Sequence, residues 1–199
     1  MPAAPVLVSV YDRPHHFRAC IESLARNPDA SETSLYIASD GPRDDASRPR
    51  VEAVRAYISQ ITGFKRVIAH CPRENTARHL MHKLLDEVRS DHRHYIKTED
   101  DNVFSPHALA YFNEALEVHA EDERVHAVCG HMAPGFPARA YEQVYLRSAV
   151  SPWGIALWRD RDLSEDLDQV ALARAALSDR GWFSTFNQTL PDLAPLVRS

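Results

Sequence analysis

The stretch Val6-Leu-Val-Ser-Val-Tyr-Asp-Arg13 opens with a short β-branched run and ends in polar and charged residues. Val6–Val10 has the composition of a strand that is buried on both faces of a sheet. The residues that follow repeat apolar side chains at spacings of three and four, which is the pattern of one face of a helix; they are Phe17, Cys20, Ile21 and Leu24. A buried strand followed at once by an amphipathic helix is typical of an α/β fold.

The same order of strand and helix repeats as far as Gly130. Further strands are predicted at 34–39, 65–71, 94–98 and 125–129, and the last helix of the series is predicted to begin at Ser105-Pro106, as an N-cap and first-turn proline. This alternation predicts a mostly parallel sheet covered by helices on both faces. Residues 131–158 are predicted to form strands and loops around a site, with two helices and a loose tail after them.

The composition excludes several classes of protein. The chain has 199 residues, of which 44% are hydrophobic and 26% charged, and its net charge of −5 argues against a protein that binds nucleic acid. No apolar run is long enough for a transmembrane segment, and the N-terminus lacks the features of a signal peptide. The three cysteines have no CxxC spacing, so neither a disulfide framework nor a zinc site is expected. These features predict a cytoplasmic protein.

Chemically active residues are expected just after the strands, because ligands of open α/β sheets bind beyond the carboxyl ends of the strands. Tyr11-Asp12-Arg13 follows the first predicted strand, Asp40-Gly41 the second and Glu99-Asp100-Asp101 the fourth. The chain has only six glycines and neither a GxGxxG nor a GxxxxGK[ST] motif. A dinucleotide-binding enzyme or a P-loop NTPase is therefore not expected.

Glu99-Asp100-Asp101 admits two interpretations. Three adjacent acids at a buried strand end repel one another, and Mg²⁺ or Mn²⁺ held by one or two carboxylates plus substrate phosphates would compensate them. Alternatively, these acids only accompany a helix N-terminus, where negative charge is mildly favourable. His79, near the start of the third helix, is either a ligand-facing group or a solvated one. Trp153 is either a packing aromatic or a platform for a sugar.

Four segments, taken together and in this order, resemble the GT-A fold nucleotide-sugar glycosyltransferases. They are Pro5–Arg13, Ile37-Ala-Ser-Asp-Gly41, Asn75-Thr-Ala-Arg-His79 and Lys97-Thr-Glu-Asp-Asp101, the last being similar to the Glu-Asp-Asp form of the DXD motif. The likeness covers about residues 5–158 and is greatest to the N-acetylglucosaminyltransferase I type and related bacterial glycosyltransferases. It implies a GT-A, Rossmann-like sheet with a C-terminal region of loops and helices.

The resemblance also implies how the donor would be held. Asp101 would be the direct ligand of a Mn²⁺ or Mg²⁺ ion that bridges the UDP diphosphate, and Arg13 would contact the phosphates. Glu99 and Asp100 would contact the ribose or the donor sugar. The ion would neutralise charge on the leaving UDP.

Further nucleotide-sugar contacts are implied at four positions. Asp40 and His79 would hold the uracil, and Tyr11 stands beside the strand-one Asp-Arg pair of the family. The segment 151–154, which contains Trp153, would lie near the donor sugar and the acceptor.

The general base of the transfer is not supplied by the expected motif. The family's Trp-Asp-Asp segment should fall near Trp182, where this chain reads Trp182-Phe-Ser-Thr-Phe-Asn187. Asp179 is the nearest carboxylate and is the candidate base.

These observations predict one catalytic domain over 1–199, with a nucleotide-binding half at 1–104, a donor and acceptor half at 105–188 and a tail at 189–199. The predicted activity is a metal-dependent, inverting transfer of a hexosyl or N-acetylhexosaminyl group from a UDP-sugar to the hydroxyl of a saccharide or other acceptor. Two alternatives stay open: a catalytically weak or inactive nucleotide-sugar-binding protein, and a metal-dependent nucleotidyltransferase.

Overall fold

The computed structural model describes residues 2–76, 79–131, 144, 146 and 150–162. The chain divides into two compact units, of which the first consists of Met1–Phe136 and Ser151–Arg161 and contains the sheet. The second, Pro137–Val150 with Asp162–Ser199, lies almost entirely outside the described residues. The single catalytic domain, the helices after Arg159 and the tail therefore stay predictions.

The described residues form strands and helices in alternation, as the sequence predicts. Their bounds are β1 Val6–Val10, α1 Pro14–Ala25, β2 Ser34–Ser39, α2 Arg48–Ile58, β3 Arg66–His70, α3 His79–Asp91, β4 His94–Glu99, α4 Ala108–Val118, β5 Ala127–Cys129 and β6 Ile155–Trp158. A 3₁₀ helix, Pro28–Glu32, precedes β2.

The six strands lie in the order β3-β2-β1-β4-β6-β5. The neighbours β3, β2, β1 and β4 are parallel, whereas β6 runs antiparallel to both β4 and β5. The prediction of a mostly parallel sheet is confirmed. The strand β6 separates β5 from β4, because the chain returns after β5 and inserts a reversed strand between the two.

Alternate residues of the buried strands face two hydrophobic layers, as the period of a β-strand requires. Val6, Val8 and Val10 pack with α1, α2 and α4, while Leu7 packs with Leu84 and its neighbours on α3. Helices therefore cover both faces of the sheet, which is why these strands are apolar at nearly every position.

The predicted start of α4 at Ser105-Pro106 is wrong by two residues. The helix begins at Ala108, and the backbone N–H of Leu109 in its first turn donates to Oδ1 of Asn27 at 3.0 Å. Asn27 is buried and follows α1, so an acceptor distant in sequence satisfies the helix N-terminus. The buried Ser23 accepts in the same way from the N–H of Phe104 at 2.9 Å. These two bonds fix the segment after β4 against α1.

Candidate functional site

The strand order reverses direction at β1, which lies between β2 and β4. Ser9 is paired with Glu99, so the last residues of β1 and β4 are at the same level of the sheet. A crevice beyond such a reversal is the usual ligand site of an open α/β sheet. A cavity of about 360 Å³, the first cavity, lies there and is lined by Ser9, Val10, Tyr11, Arg13, Ala38, Asp40, Arg43, Leu80, Met81, Glu99 and Asp100.

Arg13 joins the two aspartates that follow β4. Its Nε donates to Asp100 Oδ2 at 3.1 Å, its Nη2 donates to Asp100 Oδ1, and its Nη1 donates to Asp101 Oδ2 at 2.9 Å. The Asp100 side chain is only 2% exposed, whereas that of Arg13 is 45% exposed. Burial raises the pKa of Asp100, and the hydrogen bonds from Arg13 oppose that rise. The guanidinium thus compensates the acidic strand end from the open side of the crevice.

Asp40, at the end of β2, holds the segment before α3. Its Oδ1 accepts from the N–H of Gly41 at 2.8 Å and from the N–H and hydroxyl of Thr76 at 2.8 and 3.0 Å. Asn75 donates to the carbonyl of Gly41 at 2.8 Å, and a Cβ built on Gly41 would lie 2.3 Å from the carbonyl carbon of Glu74. Only a glycine allows these two segments to touch. None of the described hydrogen bonds uses Oδ2 of Asp40.

Arg43 lines the first cavity and was not predicted from the sequence. Its N–H donates to the Tyr11 hydroxyl at 2.9 Å, and its guanidinium lies 4.9 Å from the centre of the Tyr11 ring. Its position could have indicated this role, because Arg43 comes two residues after Gly41, in the turn that follows β2.

The other walls of the first cavity are apolar. The lining combines the apolar Val10, Ala38, Leu80 and Met81 with two arginines, two aspartates, a glutamate, a serine and a tyrosine. Apolar walls with a few placed polar groups are the usual composition of a small-molecule site. This mixture suits a flat ring joined to an anionic group.

The structure brings together most, but not all, of the residues predicted to bind the donor. Tyr11, Arg13, Asp40, Glu99 and Asp100 line the first cavity, and Asp101 is joined to it through Arg13.

His79 does not line the first cavity. It is an exposed residue at the start of α3, and its next two neighbours, Leu80 and Met81, supply the wall instead. Contact of His79 with uracil stays a prediction. Asp179, the candidate base, lies outside the described residues.

The carboxylate of Asp101 fits a divalent cation that takes only some of its ligands from the protein. Its carboxylate is 37% exposed and supplies the hard oxygen atoms that Mg²⁺ and Mn²⁺ take. Within 2–76, 79–131 and 150–162, no group of three or more His, Cys, Asp or Glu side chains is arranged to hold a metal ion. Such an ion would therefore need further ligands from a diphosphate and from water.

A second cavity, of about 290 Å³, lies on the other side of β4. Its lining residues are Asn102, Val103, Phe104, Ser105, His107, Ala108, Tyr111, Phe112, Gly130, His131 and Trp153. Trp153 is 52% exposed, and the His131 ring stands edge-on to it with centroids 4.7 Å apart. Nδ1 of His131 lies 3.4 Å from the Ser151 hydroxyl. Trp153 thus lies in this cavity and not among the residues that line the first.

No protein-family model matches the chain, and no curated protein is significantly similar to it in sequence. Solved structures do match. A mannosyltransferase from Pyrobaculum calidifontis, solved with GDP-Man and Mn²⁺, is 14% identical with a TM-score of 0.57, over 100% of this chain and 65% of its own. A fragment of S. aureus TarS is 15% identical with a TM-score of 0.51, over 82% of this chain and 49% of its own. The same fragment was solved with UDP-GlcNAc.

The chain shares its fold with these two transferase structures. It spans about half of the TarS fragment and 65% of the mannosyltransferase. At these identities the likeness concerns the fold and does not extend to a substrate. No helix of the described residues has both the length and the apolar character needed to cross a membrane.

Proposed function

We propose that this chain transfers a sugar from a UDP-sugar to an acceptor hydroxyl, with inversion and with a divalent metal ion. The observation that carries the proposal is the first cavity. In a glycosyltransferase fold, at the reversal of strand order, it combines apolar walls with two arginines and the acidic end of β4. A nucleoside diphosphate has the matching chemistry of a flat base and two anionic groups.

Asp40 is the group that would select uracil. Its Oδ1 is occupied by Gly41 and Thr76, which fix the carboxylate, and its Oδ2 is the atom left for a ligand. Uracil N3–H is a hydrogen-bond donor at an atom where cytosine has only an acceptor. A carboxylate in this position therefore favours UDP over CDP. Leu80 and Met81 supply the apolar wall against which a base can pack.

Arg13 and Arg43 are the groups that would bind the diphosphate. Three of the five N–H groups of the Arg13 guanidinium already donate to Asp100 and Asp101, so two are left for phosphate oxygens. Because Arg13 is half exposed and Asp100 is buried, a phosphate would approach from the Arg13 side. Asp101 would hold the divalent ion, which when bound neutralises charge on the leaving diphosphate.

The test begins with UDP, CDP and GDP binding measured by calorimetry with and without Mn²⁺. We expect UDP to bind tightest and only weakly after chelation of the metal. Incubation with UDP-glucose, UDP-galactose and UDP-N-acetylglucosamine, with methyl glycosides as acceptors, should then release UDP. Release of pyrophosphate from a nucleoside triphosphate and a sugar phosphate would indicate a nucleotidyltransferase. Tight donor binding without any release would indicate a binding protein. GDP bound tighter than UDP would refute the choice of donor.

A further inference from the structure

The second cavity adjoins the acidic end of β4. Glu99 and Asp100 line the first cavity, and Asn102 and Val103 line the second. Two residues of chain span at most about 7 Å, so the backbone of Asp100, in the lining of the first cavity, is within that distance of Asn102, in the lining of the second. Asp101 stands between these two residues in the chain, so an ion held by Asp101 would be near both linings.

Among the described residues, the lining of the second cavity contains no aspartate, glutamate, lysine or arginine. It consists of aromatic rings, short apolar groups and neutral polar side chains, with Trp153 half exposed at its wall. Such a surface suits a neutral, hydroxyl-rich molecule better than an anionic one. This is the chemistry of a saccharide acceptor.

Few of the polar groups in the second cavity are able to take a proton. The Tyr111 hydroxyl donates to a backbone carbonyl, the Asn102 amide donates to a hydroxyl of β4, and the Ser105 hydroxyl accepts from a backbone N–H. None of these three is a base at neutral pH. Within the described part of this lining, the groups that can accept a proton are the two imidazoles, His107 and His131.

Of these two, His131 is the one that is held in place. It is partly buried, its ring is packed edge-on to Trp153, and Nδ1 is within reach of the Ser151 hydroxyl. Nε2 has no hydrogen-bond partner among the described residues, so it is the nitrogen left for a ligand. His107 is exposed, and no ring contact fixes it in the described part of the chain. A general base needs such positioning, because its nitrogen must be within hydrogen-bond reach of the reacting hydroxyl.

We propose that His131 is the general base of the transfer, an inference that rests on the proposed function. The acceptor oxygen forms a bond to the anomeric carbon while the bond from that carbon to the UDP oxygen breaks, and UDP leaves with the electron pair. The proton of the acceptor hydroxyl passes to Nε2 of His131, with Nδ1–H directed at Ser151. The imidazolium gives the proton to solvent when the product has left.

The experiment uses His131→Ala with the UDP-sugar and methyl glycoside that give the fastest UDP release with wild type and Mn²⁺. We expect kcat to fall at least about 100-fold, the lower range for loss of a general base. Donor affinity measured by calorimetry should stay within twofold of wild type. Added imidazole should restore part of the activity of His131→Ala. The matched control is His126→Ala, an exposed histidine before β5 that lines neither cavity.

The contradicting outcomes separate the two proposals. If His131→Ala keeps kcat within threefold of wild type, the assignment of the base is overturned and the proposed function stands. If kcat falls but imidazole restores nothing, or if donor affinity falls equally, His131 has a structural or binding role and the assignment is also overturned. If wild type releases no UDP from any of these donors, the proposed function fails, and the base assignment fails with it.

Discussion

The two cavities on either side of β4 differ in the contacts that their side chains make with the rest of the protein when no ligand is bound. In the first, charged groups are held by hydrogen bonds from other parts of the protein. Arg13 donates to Asp100 and Asp101, and Thr76 donates to Asp40. In the second, aromatic rings pack on one another, as His131 does on Trp153, and the described residues of its lining include no aspartate, glutamate, lysine or arginine. Both lie at the carboxyl-end edge of the same sheet.

Under the proposed function, one sheet edge would serve two unlike ligands. Charges placed at strand ends must be compensated in the absence of ligand, because an unpaired buried charge is costly. A diphosphate and its metal can then substitute for some of these internal partners. An aromatic surface has no such requirement, and its recognition depends on shape. The predictions below disturb one side of the comparison at a time.

The largest effect is expected for Asp101→Asn. An amide is a much poorer ligand of Mn²⁺ than a carboxylate, so UDP affinity in the presence of Mn²⁺ should fall at least about 100-fold, the upper range for weakened metal sites. Without metal, the variant and wild type should bind UDP within a few-fold of each other. The control is Asp45→Asn, whose side chain is 97% exposed. If calorimetry gives wild type and Asp101→Asn the same affinity for UDP in the presence of Mn²⁺, Asp101 is excluded as a metal ligand.

Gly41→Ala should destabilise the protein more than Gly130→Ala. The new Cβ at Gly41 would lie 2.3 Å from the backbone of Glu74, which is fixed by the hydrogen bonds around Asp40. At Gly130 the Cβ would lie 2.6 Å from Cζ of the buried Phe112, and a shift of that one side chain, without movement of the backbone, can relieve part of the contact. We expect a loss of about 3 kcal/mol in the first case and about 1 kcal/mol in the second, the range for overpacking. Urea unfolding measures both, and equal losses would contradict the distinction.

Asp40→Asn should abolish the preference for uracil without unfolding the turn. Oδ1 of the asparagine can still accept from Gly41 and Thr76, while an amide NH₂ replaces Oδ2. Wild type should bind UDP at least about tenfold tighter than CDP, which corresponds to about 1.4 kcal/mol. The variant should bind the two within about threefold. Asp40→Ala, which also removes the Oδ1 contacts, should lose stability as well, and a wild-type UDP to CDP ratio near one would exclude this role for Asp40.

The smallest effect is a difference in alkylation between two cysteines, Cys20 and Cys129. Cys20 is fully buried under the end of β4, and burial with the charges of Asp100 and Asp101 raises its pKa to about 12. Cys129 is only partly buried, beside the second cavity. Iodoacetamide at pH 8 to 10 should therefore label Cys129 and leave Cys20 unmodified, because the thiolate is the reactive form and Cys20 would gain it only at higher pH. Peptide mass spectrometry checks this, with the exposed Cys71 as the positive control.

Much of the fold could be predicted from local pattern. β1 and β2 have the predicted bounds, β3 is one residue shorter at each end, and β4 is one residue longer, because β-branched runs bounded by turns specify buried strands. The position of β6 and the start of α4 could not be predicted. The first depends on which strand a returning segment pairs with, and the second on Asn27, which is 82 residues away from the N–H it accepts.

In the candidate site too, the features set by local sequence could be predicted and those set by contacts between distant segments could not. Residues directly after strands, such as Arg13, Asp40 and Glu99, could be placed in the first cavity from the order of the strands alone. That Arg13 binds two aspartates, and that His131 stands beside Trp153, could not, because each contact joins segments far apart in the chain. The second cavity has no motif, since aromatic and neutral residues recur throughout any core.

The insertion of β6 between β4 and β5 has a consequence for how such a protein could diverge. Cys129 and Ile155 are paired neighbours, so the chain leaves the sheet and returns to it about 5 Å away. A connection with such close ends can grow at little cost, about 0.6 kcal/mol for each doubling of its length. A change of sequence confined to the interval between Cys129 and Ile155 would leave β1 to β4 and the residues that line the first cavity unaltered. Under the proposed function, acceptor preference could therefore change separately from nucleotide preference.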